Sequence, residues 1–261
     1  MTDVLHSIVA SLDGRDDEIF PFIPHILQDL WEIGSNPATI SDMMKRHQLA
    51  AGDPTHVLDL GCGKGAVSIR LAREFPTVRI LGIDAMEPFI QDATRYAEEY
   101  GVTDRCRFRI GDIRTEVPQL TNFDVVILGS IGPVFGTVGR TLLALRKCLK
   151  NNGTIILDDC YIPDTSPDQV GNYEKRAMIV KQFQQSGFEI AEEWFCGEAS
   201  IKDSNEAMYT AIENRCKELI AHHPEKTELF EGYLRAQIEE NEVLECEVIG
   251  VTWLLKYREL M

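Results

Sequence analysis

The sequence predicts an α/β fold, a doubly wound and mostly parallel sheet of seven strands with a helical N-terminal segment and a helical insert between strands six and seven. Three observations carry this. From residue 55 onward, short apolar runs alternate with amphipathic stretches of helical spacing, the order that builds a parallel sheet covered by helices on both faces. The first run, Val57-Leu58-Asp59-Leu60, breaks into glycines at 61, 63 and 65 and passes at once into a stretch with Val67, Ile69, Leu71 and Ala72 on one face. A tight glycine turn between strand and helix lets a ligand approach bare backbone. The next run, residues 79–83, ends in Asp84, 23 positions after Gly61, where an acid can take both hydroxyls of a ribose.

The elements follow in order. Leu5, Ile8, Val9 and Leu12 recur at helical spacing, as do Ile23, Ile26, Leu27, Leu30 and Trp31 with Pro24 in the first turn. A third short helix is expected over 39–47 and a loop over 14–22, so residues 1–50 form a helical segment. Strands are expected at 56–60, 79–83, 105–110, 123–128 and 153–158, with helices near 65–74, 87–100 and 137–150. A helix at 173–186 leads through Gly187 into a sixth strand, 188–195, and a seventh spans 245–257. The core is thus 51–196 plus 245–261. The insert, 197–244, holds two helices, one with Met208, Ile212, Cys216 and Leu219 on a face, the other with Leu229, Phe230, Tyr233, Leu234 and Ile238. Residues 197–247 carry 13 acidic and five basic side chains, a balance of −8 and half of the chain's −16. In a parallel sheet ligands gather at the carboxyl ends of the strands. An insertion after strand six hangs over that end, so the insert and residues 1–50 are expected to form a substrate cap. Its apolar faces await either the core or a second subunit, which leaves a homodimer open.

Charge and cysteines narrow the class. A net −16 with pI near 4.8 repels phosphate backbones, which argues against a nucleic-acid substrate. Seven scattered cysteines without C-x-x-C spacing argue for idle thiols in a reducing cytoplasm rather than zinc or disulfides. The start, Met1-Thr2-Asp3-Val4-Leu5-His6, is not a signal peptide, and runs such as Val125-Val126-Ile127-Leu128 are too short to span a membrane.

Two nucleoside ligands compete for the first loop. Gly61-Cys62-Gly63-Lys64-Gly65-Ala66 suits a nicotinamide or flavin dinucleotide as G-x-G-x-x-A, and S-adenosylmethionine as G-x-G-x-G with an Asp two positions earlier. Asp59 at the loop mouth repels a pyrophosphate and attracts an ammonium and a sulfonium. Ile110-Gly111-Asp112-Ile113 after strand three can read an adenine edge. No Tyr-x-x-x-Lys occurs, which removes the acid/base pair of short-chain dehydrogenases.

With these pieces in place, residues 57–161, about 40% of the chain, resemble the class I S-adenosylmethionine-dependent methyltransferases of the Rossmann-like superfamily, small-molecule type. The matching segments are 57–65, Gly82-Ile83-Asp84, Gly111-Asp112-Ile113 and Phe123-Asp124-Val125-Val126-Ile127-Leu128. The resemblance implies that the last strand is antiparallel and that the cofactor is S-adenosylmethionine. It places Asp84 on the ribose, Asp112 and Met86 at the adenine, and the loop of Gly61 and Gly63, with Asp59, under the methionine part. Ala85 and Ile113 join the contacts, and Ser130 lies near the methyl donor.

Methyl transfer from a sulfonium is an in-line displacement that rewards alignment and exclusion of water. A general base is not evident. The histidines, at 6, 25, 47, 56, 222 and 223, do not follow core strands, and His222 and His223 fit an exposed turn. Asp159 and Tyr161, after strand five, are the catalytic candidates, with turn closure as their alternative role. Phe20, Phe22, Trp31, Tyr161 and Tyr173 suit either an apolar pocket or the core. Leu128-Gly129-Ser130-Ile131-Gly132-Pro133 lacks the Asn/Asp-Pro-Pro-Tyr of base and amide methyltransferases, and the segment supplies no carboxylate for the magnesium of catechol-type enzymes, so no metal is expected. The reading is a methyltransferase acting on a small molecule. A nicotinamide-dependent dehydrogenase and a non-catalytic cofactor-binding interaction protein remain the alternatives.

Overall fold

The computed structural model describes residues 2–52, 54–132, 134–166, 169–195 and 197–258. Pro133 and Cys196, which entered the reading above, lie outside them. Seven strands form one sheet in the order β3-β2-β1-β4-β5-β7-β6. They are β1 (Thr55–Leu60), β2 (Val78–Asp84), β3 (Cys106–Ile110), β4 (Phe123–Gly129), β5 (Leu149–Tyr161), β6 (Phe188–Phe195) and β7 (Ile249–Tyr257). β1 to β5 pair in parallel, and β7 runs antiparallel between β5 and β6. Two antiparallel pairings in succession make β6 parallel to the first five strands, so it ends on the same side as they do. The order reverses between β1 and β4, and a crevice opens at such a switch point.

The period-two alternation of strand side chains builds a core on each face. Leu58, Leu60, Val126, Leu128, Ile155, Leu157, Val251, Trp253 and Leu255 face one side. There α7 (Val138–Arg146) and α8 (Arg176–Gln185) supply Leu142, Leu145, Ile179 and Phe183. Val57, Val125, Ile127, Ile156 and Leu254 face the other. α3 (Pro37–Arg46) and α4 (Ala66–Glu74) meet them with Ile40, Met43, Met44, Ile69 and Leu71. Strands apolar on both faces, like β1 and β4, are those of a buried parallel sheet.

A third cluster lies beyond the sheet. It joins Val9 of α1 (Thr2–Ala10), Ile19 of a 3₁₀ turn (Asp17–Phe22), and Ile23 and Ile26 of α2 (Ile23–Ile26) to the insert. From the insert come Ile212, Cys216 and Leu219 of α9 (Glu198–His222) and Phe230 and Tyr233 of α10 (Thr227–Cys246). Met86 and Phe89, at the start of α5 (Glu87–Glu99), tie this layer to the end of β2. The Tyr233 hydroxyl donates to the Leu12 carbonyl at 2.9 Å, and Arg215 pairs with Asp29 at 2.6 Å. Most of the apolar faces of the insert are therefore covered within the chain, while Ile238 of α10 stays exposed.

Several boundaries differ from expectation. α10 runs to Cys246 and β7 begins at Ile249, not 245. Glu245, which accepts from Asn205 at 3.1 Å, sits on a helix held against α9. The expected helix over 23–31 contracts to Ile23–Ile26, and the expected loop 14–22 contains the 3₁₀ turn. Burial of Ile19, Ile23 and Ile26 under the insert helices overrides local periodicity there. β5 extends from 149 to 161, and α7 stops at Arg146.

Candidate functional site

Register brings the strand ends together. Leu60 lies beside Ile83 and Leu128, Asp84 beside Ile110, and Gly129 beside Asp158. Between them lies a small cleft lined by Trp31, Ile33 and Ser35 on one side and by Asp59, Gly61, Lys64 and Gly129 on the other.

The glycine loop is tied to β2 by Gly61 and Cys62, whose amides donate to the Ile83 carbonyl at 2.8 and 3.1 Å. Gly61 (φ +69°) would drive a Cβ into Ile131 at 2.8 Å. Gly63 (φ +51°) differs, because a Cβ there would meet nothing within 4 Å. Its backbone borders open space, as a loop that seats a ligand requires. No side chain caps α4 behind Gly65, so the first-turn amides beside Ala66 and Val67 suit an anionic group such as a carboxylate.

Asp84 accepts from the Gly63 amide at 2.9 Å through Oδ2 and from the Met86 amide at 2.8 Å through Oδ1. A carboxylate offers about four lone-pair sites, so capacity remains for two ribose hydroxyls. Burial pushes its carboxyl above the usual range, partly offset by the Met86, Gly63 and Ala85 amides. Asp59 is buried, accepts from the Ser68 hydroxyl at 2.6 Å, and is pushed up to about 6 by burial, with Asp84 adding to the rise. Neither carboxylate has a cationic partner among the described residues. Two such groups favour a cationic ligand over a pyrophosphate. The donor set thus fits S-adenosylmethionine, with hydroxyl acceptors, an anion site and a negative field in one crevice.

The other expected contacts are more distributed. Asp112 caps α6 (Ile113–Glu116), accepting from the Arg114 amide at 3.0 Å and its Nε at 3.1 Å. Partial burial raises its carboxyl, but the Arg114 bonds win and hold it below the usual range. Gly111 donates to the Asp84 carbonyl at 2.9 Å, which keeps the end of β3 beside β2. Ile113 packs against the core, and Met86 is buried in the third cluster.

Ser130 sits at φ +54°, a left-handed conformation that only over-determined surroundings hold in a non-glycine residue. Its hydroxyl donates to Asp158 Oδ2 at 3.0 Å and lies 3.4 Å from the Ser35 hydroxyl, while Thr252 donates to Asp158 Oδ1 at 2.9 Å. With its proton on Asp158, Ser130 has lone pairs to accept a donor in the cleft. Asp159 accepts from the Cys160 amide at 2.8 Å and is pushed up to about 6 by burial, with Asp158 and Glu174 adding to the rise. Tyr161 is buried, its ring 6.1 Å from that of Trp253. The structure therefore brings Ser130 and Asp158 together at the adjoining ends of β4 and β5 and sets Tyr161 in the core.

Sequence reasoning missed Ser35, Lys64 and Asp158. The Lys64 side chain is 1% exposed and its Nζ donates to the Leu27 carbonyl at 2.6 Å. Lys64 stood in the glycine motif, but a charged loop residue reads as solvated. Trp31, read as either pocket or core, lines the cleft. His222 and His223 lie at the α9–α10 turn, as expected. Among the described residues no group of three or more His, Cys, Asp or Glu is placed to hold a metal ion, and no helix is long and apolar enough to cross a membrane.

Comparison with known proteins agrees with the fold. A solved S-adenosylmethionine-dependent methyltransferase from Geobacter sulfurreducens, in complex with S-adenosylhomocysteine, superposes with a TM-score of 0.72 at 21% identity, covering 91% of this chain and 98% of that one. Trans-aconitate 2-methyltransferase of Streptomyces avermitilis is 35% identical over 87 residues, 33% of this chain and 32% of the relative. Malonyl-[acyl-carrier protein] O-methyltransferase of Halalkalibacterium halodurans is 27% identical over 119 residues, 44% and 42% of the two chains. The chain thus spans less than half the length of these curated relatives. A family described as a methyltransferase domain matches residues 52–243. The sheet order, the glycine loop and this match over most of the chain lead to one conclusion: the protein belongs to the methyltransferase-domain family and has its Rossmann-like fold.

Proposed function

We infer that the protein transfers a methyl group from S-adenosylmethionine to a small-molecule acceptor. The observation that carries this is the Gly63–Asp84 cradle. A glycine with open space where its Cβ would stand is hydrogen-bonded to a half-buried carboxylate with lone pairs to spare, at the switch point of the sheet. When bound, S-adenosylmethionine supplies an electrophilic methyl carbon on a sulfonium. Asp84 would hold the ribose and Asp112 the adenine amino group, with Ala85, Met86 and Ile113 beside them. Gly61, Gly63 and the amides opening α4 would seat the methionine part, and Asp59 would offset its positive charge. Ser130 would accept the acceptor's X–H proton while passing its own to Asp158, so that the methyl carbon bonds X as its bond to sulfur breaks.

Residues 1–50 and the insert, 197–244, would form a substrate cap, and their shared apolar cluster beside Met86 supports this. Asp59 disfavours a dinucleotide pyrophosphate, so the dehydrogenase reading has no support at this site. Cys62, Cys106, Cys148 and Cys216 are buried free thiols, the cysteine usage of a reducing compartment, which supports a cytoplasmic location. Calorimetric titration with S-adenosylmethionine, S-adenosylhomocysteine and NAD tests the reading. Micromolar binding of the first two and none of NAD is expected. Binding of NAD alone would return the loop to a dinucleotide.

A further inference from the structure

Lys64 is the anomaly of the site. A lysine in a surface loop normally extends its ammonium into water, yet this side chain is 1% exposed. Its Nζ donates to the Leu27 carbonyl at 2.6 Å, stands 3.7 Å from Asp92 Oδ2, and lies 5.7 Å from the centroid of Phe89. Leu27 terminates α2, where a lysine is a suitable donor, and its carbonyl also accepts from the Leu30 amide at 3.1 Å. Burial holds the Lys64 ammonium below its usual pKa, against the pull of Asp92.

The main chain of the same residue is held from the same side. The Trp31 indole Nε1 donates to the Lys64 carbonyl at 3.1 Å. The Trp31 ring is stacked on Tyr100 (5.2 Å, 7° between planes) and lies 4.9 Å from Tyr96, both at the C-terminal end of α5. One loop residue is thus gripped through side chain and carbonyl by a segment 33 to 37 positions earlier.

That segment then crosses the cleft. A Cβ at Gly129 would lie 2.2 Å from Ser35 Oγ, and one at Gly34 would lie 2.9 Å from Ser130 Cβ. So residues 27–35 are attached to the glycine loop at one end and to the end of β4 at the other. Trp31, Ile33 and Ser35 form one wall of the cleft, and Asp59, Gly61, Cys62, Lys64, Ala66 and Val67 another.

We propose that Lys64 and Trp31 clamp residues 27–35 onto the glycine loop, so that closure of this wall and seating of the methionine part of the donor are one event. Lys64 is a positioning residue. This rests on the cofactor reading above. The physical logic is a balanced two-state element. Closing gives the Lys64 carbonyl the Trp31 donor and the Leu27 carbonyl a second donor beside the Leu30 amide, but it takes an ammonium out of water, which disfavours the closed form. A ligand that touches both walls binds only the closed form and shifts the balance.

The test uses two ligands and two variants of the full-length protein. S-adenosylhomocysteine spans both the ribose and the methionine ends, whereas adenosine reaches only the ribose end at Asp84. Lys64→Met removes the ammonium at similar length, and Trp31→Phe keeps a ring on Tyr100 but removes the donor. Each is expected to weaken S-adenosylhomocysteine about tenfold in calorimetry and leave adenosine within about twofold. Amide exchange in 27–35 should speed at least tenfold in the free variants, with β1 and β4 unchanged. The double variant should be little worse than the worse single one, since both act through one closure. Equal loss of both ligands would mean a merely structural role, and unchanged affinity with unchanged exchange would mean no clamp. Either result overturns the proposal. A wild-type protein that binds neither ligand would instead overturn the cofactor reading, and the clamp with it.

Discussion

Replacing Asp84 by Ala tests the cradle most directly. The carboxylate makes two backbone hydrogen bonds, to Gly63 at 2.9 Å and Met86 at 2.8 Å, and is proposed to take the ribose hydroxyls with its remaining lone pairs. Hydrogen bonds to a charged group are worth roughly 1.5–3 kcal/mol. Losing the ribose contribution should therefore raise the Kd for S-adenosylhomocysteine about 10- to 150-fold. Stability should change less. Two amides lose their acceptor, at about 1–3 kcal/mol each, but a half-buried carboxylate whose partial desolvation raises its pKa no longer has to be desolvated. These terms oppose each other, whereas the loss in binding has no such offset. The assay is isothermal titration beside thermal melting in the same buffer. A variant that melts within a few degrees of wild type and binds at wild-type affinity would refute the ribose assignment. A variant that no longer folds would mean that the amide bonds outweigh the desolvation relief, contrary to the argument.

Three further outcomes are expected. Ser130→Gly relieves a left-handed non-glycine conformation, worth about 1–2 kcal/mol, and loses one hydrogen bond to Asp158. Its stability should stay within about 1 kcal/mol of wild type while turnover of any accepted substrate falls at least tenfold; unchanged turnover would exclude Ser130 from the proton path. Asp13→Asn should stabilise the protein above pH 6. Burial pushes the Asp13 carboxyl up from 3.8 to about 6, with Glu240 adding to the rise and the Gln237 bond opposing it. The folded state thus holds this proton to higher pH than the unfolded state, and the associated stability is present below about pH 4 and lost as pH rises through 6. Asparagine removes that loss and tolerates the positive φ of 60°. The gain should be at most about 3 kcal/mol at pH 7–8 and vanish below pH 4, as read by melting across pH; a gain equal at all pH values would contradict the cause. Tyr161→Phe should leave turnover within about twofold, because its ring is core packing on Trp253; a hundredfold loss would restore Tyr161 as a catalytic group.

Much of the architecture was legible because it is local. Val57, Leu58 and Leu60 can only be a strand buried on both faces, and glycines at 61, 63 and 65 can only be a turn with left-handed positions. Asp84 follows the next apolar run by chain order alone, and βα alternation then brings the two loops to one edge of a parallel sheet. The helix faces of the insert were legible too, since Ile212, Cys216, Phe230 and Tyr233 recur at helical spacing and are buried. Less legible was where α10 stops. Cys246 and its neighbours suit strand as well as helix, and the choice falls to contacts such as Asn205 with Glu245.

Taken alone, then, the sequence determined the sheet, the glycine loop and the position of the proposed ribose acid, because hydrophobic period and turn chemistry act over a few residues. The tertiary structure decided everything that depends on residues far apart in the chain. Ser130 meets Asp158 from 28 positions away, Lys64 meets Leu27 from 37, and Tyr233 meets Leu12 from 221. It also decided which candidates share their lone pairs with a neighbour, as Asp112 does with Arg114, and which are core, as Tyr161 is. The physical reason is the same in each case. A side chain's hydrogen-bonding type is written in the sequence, but its partner and its burial are set only when the layers close on one another.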